Sequence, residues 1–252
     1  MKGDAYTVKA ETMINLNVKV ELKSKTRFSS KHIRCACLCV KECDEIEGEY
    51  EEGSIWDEKN AELYENDISY ASGSIISSVA YLESTINEFY SDCCDKVKNY
   101  KSVEYLNGID LKTLVLLADK WNCDKFEMNK TLVKYDQALK IVTMNCFDTK
   151  EKTYIDAKNL LRMRNSLVHY KAMWQGPVAN ESPYNLNHLK GKFDMNPFME
   201  NSDNEFFPYK CLGKGCARWG IKSAIDFASS FYDKIGVKPL VNAQNIFSSI
   251  LK

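Results

Sequence analysis

Hydrophobic and polar residues change their period several times along the chain, and each change marks an element. Ile14, Leu16, Val18, Val20 and Leu22 are apolar, while Asn15, Asn17, Lys19 and Glu21 between them are polar. That period of two predicts a half-buried strand. The spacing then lengthens: Ile33, Cys37 and Val40, with Cys39, Cys43 and Ile46, fit a helix capped by Ser29 or Ser30 and ended by Gly48. The clearest pattern is Ile75, Val79, Leu82, Ile86 and Phe89, one unbroken apolar stripe at helical spacing. Further helices are predicted over Leu111–Trp121, 132–147 and 154–174. Residues 175–210 are rich in Pro, Asn and Gly and predict an irregular excursion. Ala217, Ile221, Ala224, Ala228 and Phe231 line one side of a last helix, with Gly236 as its stop.

These elements predict a mainly α protein. Residues 68–252 form a helical domain interrupted by the excursion at 175–210, and residues 1–67 form a small N-terminal α/β appendage with an acidic segment. A composition of 44% hydrophobic and 27% charged residues is that of a globular chain. The longest apolar runs fall far short of a membrane span, and no apolar stretch follows a basic start. A cytoplasmic protein without membrane contact is therefore expected, with its ten cysteines as reduced thiols.

Net charge is −1, so any nucleic-acid surface must be local. Charge does segregate along the chain. Between Glu42 and Asp67 twelve acids face one lysine, whereas residues 112–171 carry twelve Lys and Arg against seven acids. The second stretch is the one that could guide an RNA backbone. Cys35, Cys37, Cys39 and Cys43 resemble a zinc cluster in spacing alone, since on a helix Cys37 faces away from the other three; core packing is the better reading. Cys211 and Cys216 enclose a Gly-rich turn into the last helix. Lys214 there is a weak candidate for gripping phosphate, and metal binding by this pair with His188 is a minor alternative. No metal or cofactor is expected.

Candidate chemistry concentrates in "NLLRMRNSLVHYK", residues 159–171. On an ideal helix Asn165 and His169 stack one above the other, Ser166 shares their face, and Arg162 falls within about 20° of His169. Leu160, Leu161, Leu167 and Val168 form the opposite, core-facing arc. Arg164 falls about 140° from His169, amid leucines. It needs a partner there, and Glu83, at the margin of the long helix's stripe, is the candidate.

Arg164-Asn165-Ser166-Leu167-Val168-His169 resembles the R-x4–6-H motif of HEPN domains, the helical bundles of prokaryotic RNA-cleaving toxins and defence effectors; the resemblance covers residues 68–236. It implies an antiparallel helical bundle and a metal-independent endoribonuclease. In that chemistry the ribose 2′-hydroxyl attacks the adjacent phosphate and leaves a 2′,3′-cyclic phosphate. His169 would be the general acid/base, because an unperturbed histidine titrates near 6.5. Arg164, or Arg162 at the spacing R-x6-H, would stabilise phosphate charge, and Asn165 would position the substrate. The family dimerises so that two motifs face one cleft, which implies a homodimer. Lys158, Ser166, Tyr170, Lys171 and Trp174 are weaker candidates for RNA contact, Trp174 by stacking on a base. An antitoxin or other regulatory protein is a further implied partner. In one subgroup such a partner modifies a tyrosine two residues after the histidine. Lys171 occupies that position here and Tyr170 precedes it, so control by tyrosine modification is not expected. The competing class is a non-catalytic scaffold of the same fold that binds RNA or protein.

Overall fold

The computed structural model describes residues 25–51, 56–99, 101–172 and 184–251. Seven α-helices are formed by these residues, with short 3-10 and π turns between them: α1 (Ser29–Glu49), α2 (Glu58–Val97), α3 (Leu111–Trp121), α4 (Thr131–Thr143), α5 (Lys152–Val168), α6 (Lys214–Ile235) and α7 (Ala243–Ile250). No strand occurs among the described residues, and the strand expected over Ile14–Leu22 lies outside them. No described helix is long and apolar enough to cross a membrane.

The organising element is α2, whose 40 residues extend about 60 Å. Its start is fixed by Asp57, whose carboxylate accepts from the Asn60 backbone N–H at 2.8 Å. Ile75, Val79, Leu82, Ile86 and Phe89 are all at most 1% exposed, so the whole stripe faces the core. Against it lies α1, running the other way: Ser29 meets Glu88, Cys35 meets Ser77 and Cys43 meets Asp67. The N-terminus of α1 is not capped by its own serines. Glu88 of α2 accepts from both the backbone N–H and the hydroxyl of Ser29, at 2.9 and 2.7 Å. Cys37 and Cys43 are fully buried in this contact.

These contacts correct the expected domain division. A boundary at 67/68 would cut α2 after its first quarter, and the buried face of α1 belongs to the same core as α6. Residues 25–51 and 56–67 are therefore an integral part of the helical body, because the apolar face of α1 is buried against α2 and α6.

Not every neighbouring pair is antiparallel, either. Gly220 and Phe231 of α6 pack on Ile75 and Phe89 of α2, so α2 and α6 run in the same direction. Against α6, α5 runs the opposite way: Glu151 bridges to Lys234, Leu160 touches Gly220 and Met163 touches Cys216. At Gly220 the three helices α2, α5 and α6 converge, and an added Cβ would meet Ile75 Cδ1 at 2.5 Å and Leu160 Cδ1 at 3.3 Å. The last helix stops where its sequence indicated, with Gly236 at φ 72°. Below it, Tyr135 of α4 is fully buried between Phe227 and Phe231 and donates to the Leu82 carbonyl at 3.1 Å.

Candidate functional site

The motif helix is shorter and rotated relative to its expectation. It ends at Val168, and His169 is its C-cap residue, with φ −107° and ψ 24°. The helix does not continue to residue 174, and Trp174 lies outside the described residues. Leu160 is fully buried as expected, but Val168 is 51% exposed, while Met163 and Asp156 are buried. The core arc thus runs through residues 156, 157, 160 and 163, because α5 meets α6 along that line.

The arginines have different surroundings. Arg164 is half-buried and its Nη2 donates to Glu83 Oε1 at 2.9 Å, while its Nε has no partner. Glu83 also accepts from the Thr131 hydroxyl at 3.0 Å, so α2, α4 and α5 are tied at one carboxylate. Arg162 is exposed and, among the described residues, donates only to the Asn185 carbonyl, at 3.2 Å. Asn165 and His169 are exposed, and neither side chain has a hydrogen-bond or ion-pair partner among the described residues.

Residues 184–192 fold back antiparallel along this polar face. Lys192 reaches Asp156 at 2.6 Å, His188 Nε2 meets Asn159 Oδ1 at 3.1 Å, Asn185 accepts from Arg162, and Tyr184 donates to the His169 carbonyl at 2.8 Å. Tyr184 in turn accepts from the Lys171 backbone N–H at 2.7 Å and stacks on Tyr170, with ring centroids 5.2 Å apart. Partial burial, then Tyr209, Glu205 and Tyr184, hold the Tyr170 phenol above its ordinary pKa. This strap pins the end of α5 and leaves the His169 imidazole outside it.

Several weaker candidates are otherwise engaged. Ser166 is buried, and its hydroxyl donates to the Arg162 carbonyl at 3.1 Å, so it does not face a substrate. Lys214 is held by α1: its ammonium pairs with Asp44 at 3.0 Å and Glu47 at 3.7 Å, and its backbone N–H donates to Glu47. Lys158 and Lys171 are exposed and have no ion-pair partners among the described residues. Among the described residues no three His, Cys, Asp or Glu side chains gather at metal-binding distance.

His188 is the neighbour that helix-wheel reasoning did not place at the motif. Partial burial, together with Arg162 and Lys192, lowers its pKa below the ordinary histidine value. It sits at the level of Asn159, ten residues before His169, or about 15 Å along the helix axis. The two histidines therefore flank Arg162 from opposite sides without sharing one phosphate. Only the fold-back brings residues 184–188 here; nothing in their local spacing signals it.

No family model matches the chain, and neither the curated proteins nor the solved structures searched include a significant match.

Proposed function

We propose that the protein is a HEPN-like, metal-independent endoribonuclease whose site is the exposed end of α5. The observation that carries this reading is the pairing of an exposed, unengaged His169 imidazole with Asn165 one turn before it and Arg162 on the same face. His169 moves the proton, taking it from the 2′-hydroxyl or giving it to the leaving oxygen. Arg162, exposed and held by a single Nη2 bond to the Asn185 carbonyl, stabilises charge on the phosphorane with its remaining N–H groups. Asn165 donates to the substrate. Arg164 holds the helix to Glu83 and acts through position. Because one chain offers one histidine at this level, a second copy supplies the other across a twofold axis.

The scaffold reading has its own support in the strap: Tyr184, Asn185 and His188 already occupy part of the α5 polar face. Purified protein incubated with total RNA in EDTA separates the two. Cleavage to 2′,3′-cyclic phosphate ends that disappears in His169→Ala and falls upon dilution below the dimer range supports the nuclease. Equal cleavage by both proteins overturns it, and RNA binding by both without cleavage favours the scaffold.

A further inference from the structure

A cavity of about 410 Å³ opens between the N-terminal half of α5, the first turns of α6 and the segment at 192–194. Its floor is built tightly. Residue 194 lies so close to α6 that a Cβ on Gly215 would collide with the Asp194 backbone. Phe193 is thereby set against Trp219, with ring centroids 5.3 Å apart, and both rings line the cavity.

Four cations line the same space, and they divide into two kinds. Lys152 and Lys192 both bind Asp156, at 2.8 and 2.6 Å. Burial pulls the Asp156 carboxyl upward, but the two ammonium groups outweigh it and hold its pKa below the ordinary range. Arg218 and Lys222, one helical turn apart on α6, have no carboxylate within ion-pair distance among the described residues. The Arg218 Nε is buried with no hydrogen-bond partner, as is the Thr153 hydroxyl oxygen across the cavity. The residue that carries this unmatched N–H also lines the cavity, where an anion with several oxygens would match the charge of its guanidinium.

We propose that this cavity binds a nucleoside phosphate, with the phosphate on Arg218 and Lys222 and the base against the Phe193–Trp219 wall. The exposed carboxylates of Asp194 and Asp226 at its margin accept from ribose hydroxyls or an exocyclic amine. The volume suits one nucleotide. The site is separate from the His169 face: Asp156 and His169 are thirteen residues apart, about 20 Å along α5. It stands whether or not the protein cleaves RNA. The same chemistry is offered by a free nucleotide or by one residue of a single-stranded RNA.

Calorimetric titration of the full chain with AMP, adenosine, inorganic phosphate and hexa-adenylate RNA tests this. AMP should bind saturably, with adenosine and phosphate each at least about tenfold weaker, and R218Q/K222Q should weaken AMP by about tenfold or more. The exposed single variant K222Q, which leaves the Arg218 packing intact, should weaken it by about threefold. K41Q should bind AMP as the native chain does, and loss of AMP binding in R218Q/K222Q is read separately from loss of cleavage in H169A, so the two proposals fail independently. Hexa-adenylate bound far more tightly than AMP, and lost in R218Q/K222Q, assigns the site to an RNA strand; comparable affinities assign it to the free nucleotide. Phosphate bound as well as AMP, no saturable binding of AMP or hexa-adenylate, or affinity unchanged in K222Q and R218Q/K222Q would overturn the proposal.

Discussion

Arg27 and Arg164 each reach a carboxylate of α2, yet they sit in opposite circumstances. Arg27 forms a two-pronged pair with Asp92, at 2.7 and 2.8 Å, where the carboxylate is 1% exposed. Lys25 at 2.8 Å and the Tyr105 hydroxyl at 2.8 Å fill the remaining acceptor positions of Asp92. Arg164 makes one bond to Glu83, whose side chain is 43% exposed, and leaves its own Nε unsatisfied. In the first cluster the Asp92 carboxylate is saturated and buried, so it locks the segment leading into α1 to α2 and has no acceptor position left for a ligand. The second is partly open, and beside it Arg162, Asn165 and His169 face solvent. Identical residue types thus serve stability in one region and leave chemistry available in the other; what differs is how completely each polar group is matched.

The largest effect is expected where matching is complete. Asp92→Ala leaves Arg27 and Lys25 without their shared carboxylate and should cost about 3–5 kcal/mol in urea unfolding. A loss below about 1 kcal/mol would mean that the cluster is solvated and the contrast with Arg164 is empty. Next comes Arg162→Ala, which should lower RNA cleavage by about 10²–10³-fold while shifting stability by less than about 0.5 kcal/mol. Retained cleavage with lost stability would exchange the roles of the two arginines.

Asp67 lies between the two extremes, buried but incompletely matched. Asn196 donates to its Oδ2 at 2.7 Å, whereas Oδ1 has no partner. Burial first, then the Glu47 carboxylate, push its pKa up to about 7. The folded pKa exceeds the unfolded one, so the associated stability is complete at acid pH below the unfolded pKa and is lost as pH rises through 7. The difference in stability between the native chain and Asp67→Asn should therefore drift by about 2–3 kcal/mol from pH 5 to pH 8, to the native chain's disadvantage. Parallel pH profiles of the two would refute this. The smallest effect is expected for Arg164→Ala, about 1 kcal/mol by thermal unfolding with cleavage retained, since its pair is half-exposed and screened.

Local periodicity carried much of this fold. The α2 stripe, the bounds of α3 and the Gly236 stop were legible because each depends on residues within a few turns of one another. The motif face was legible in part: Asn165, His169 and Arg162 share it, as a helical wheel requires. The wheel misjudged Val168 and Ser166, because which arc of α5 is buried depends on the angle at which α6 crosses it. It was silent on α7, whose eight residues are too few for a firm pattern.

By itself the sequence determined six of the seven α-helices, the apolar stripes of α2 and α6 and the residue types that meet on α5, since these follow from spacing and backbone preference. The Arg164–Glu83 pair was legible as well, from the place of Arg164 amid leucines; tertiary structure decided that the 184–192 strap lies over the motif helix and meets Arg162, and that α1 is core rather than appendage. It also decided that Phe193, Trp219, Arg218 and Lys222 surround one cavity. Each of these rests on contacts between residues distant in sequence, where burial and partner geometry set the state of a side chain and no local pattern can.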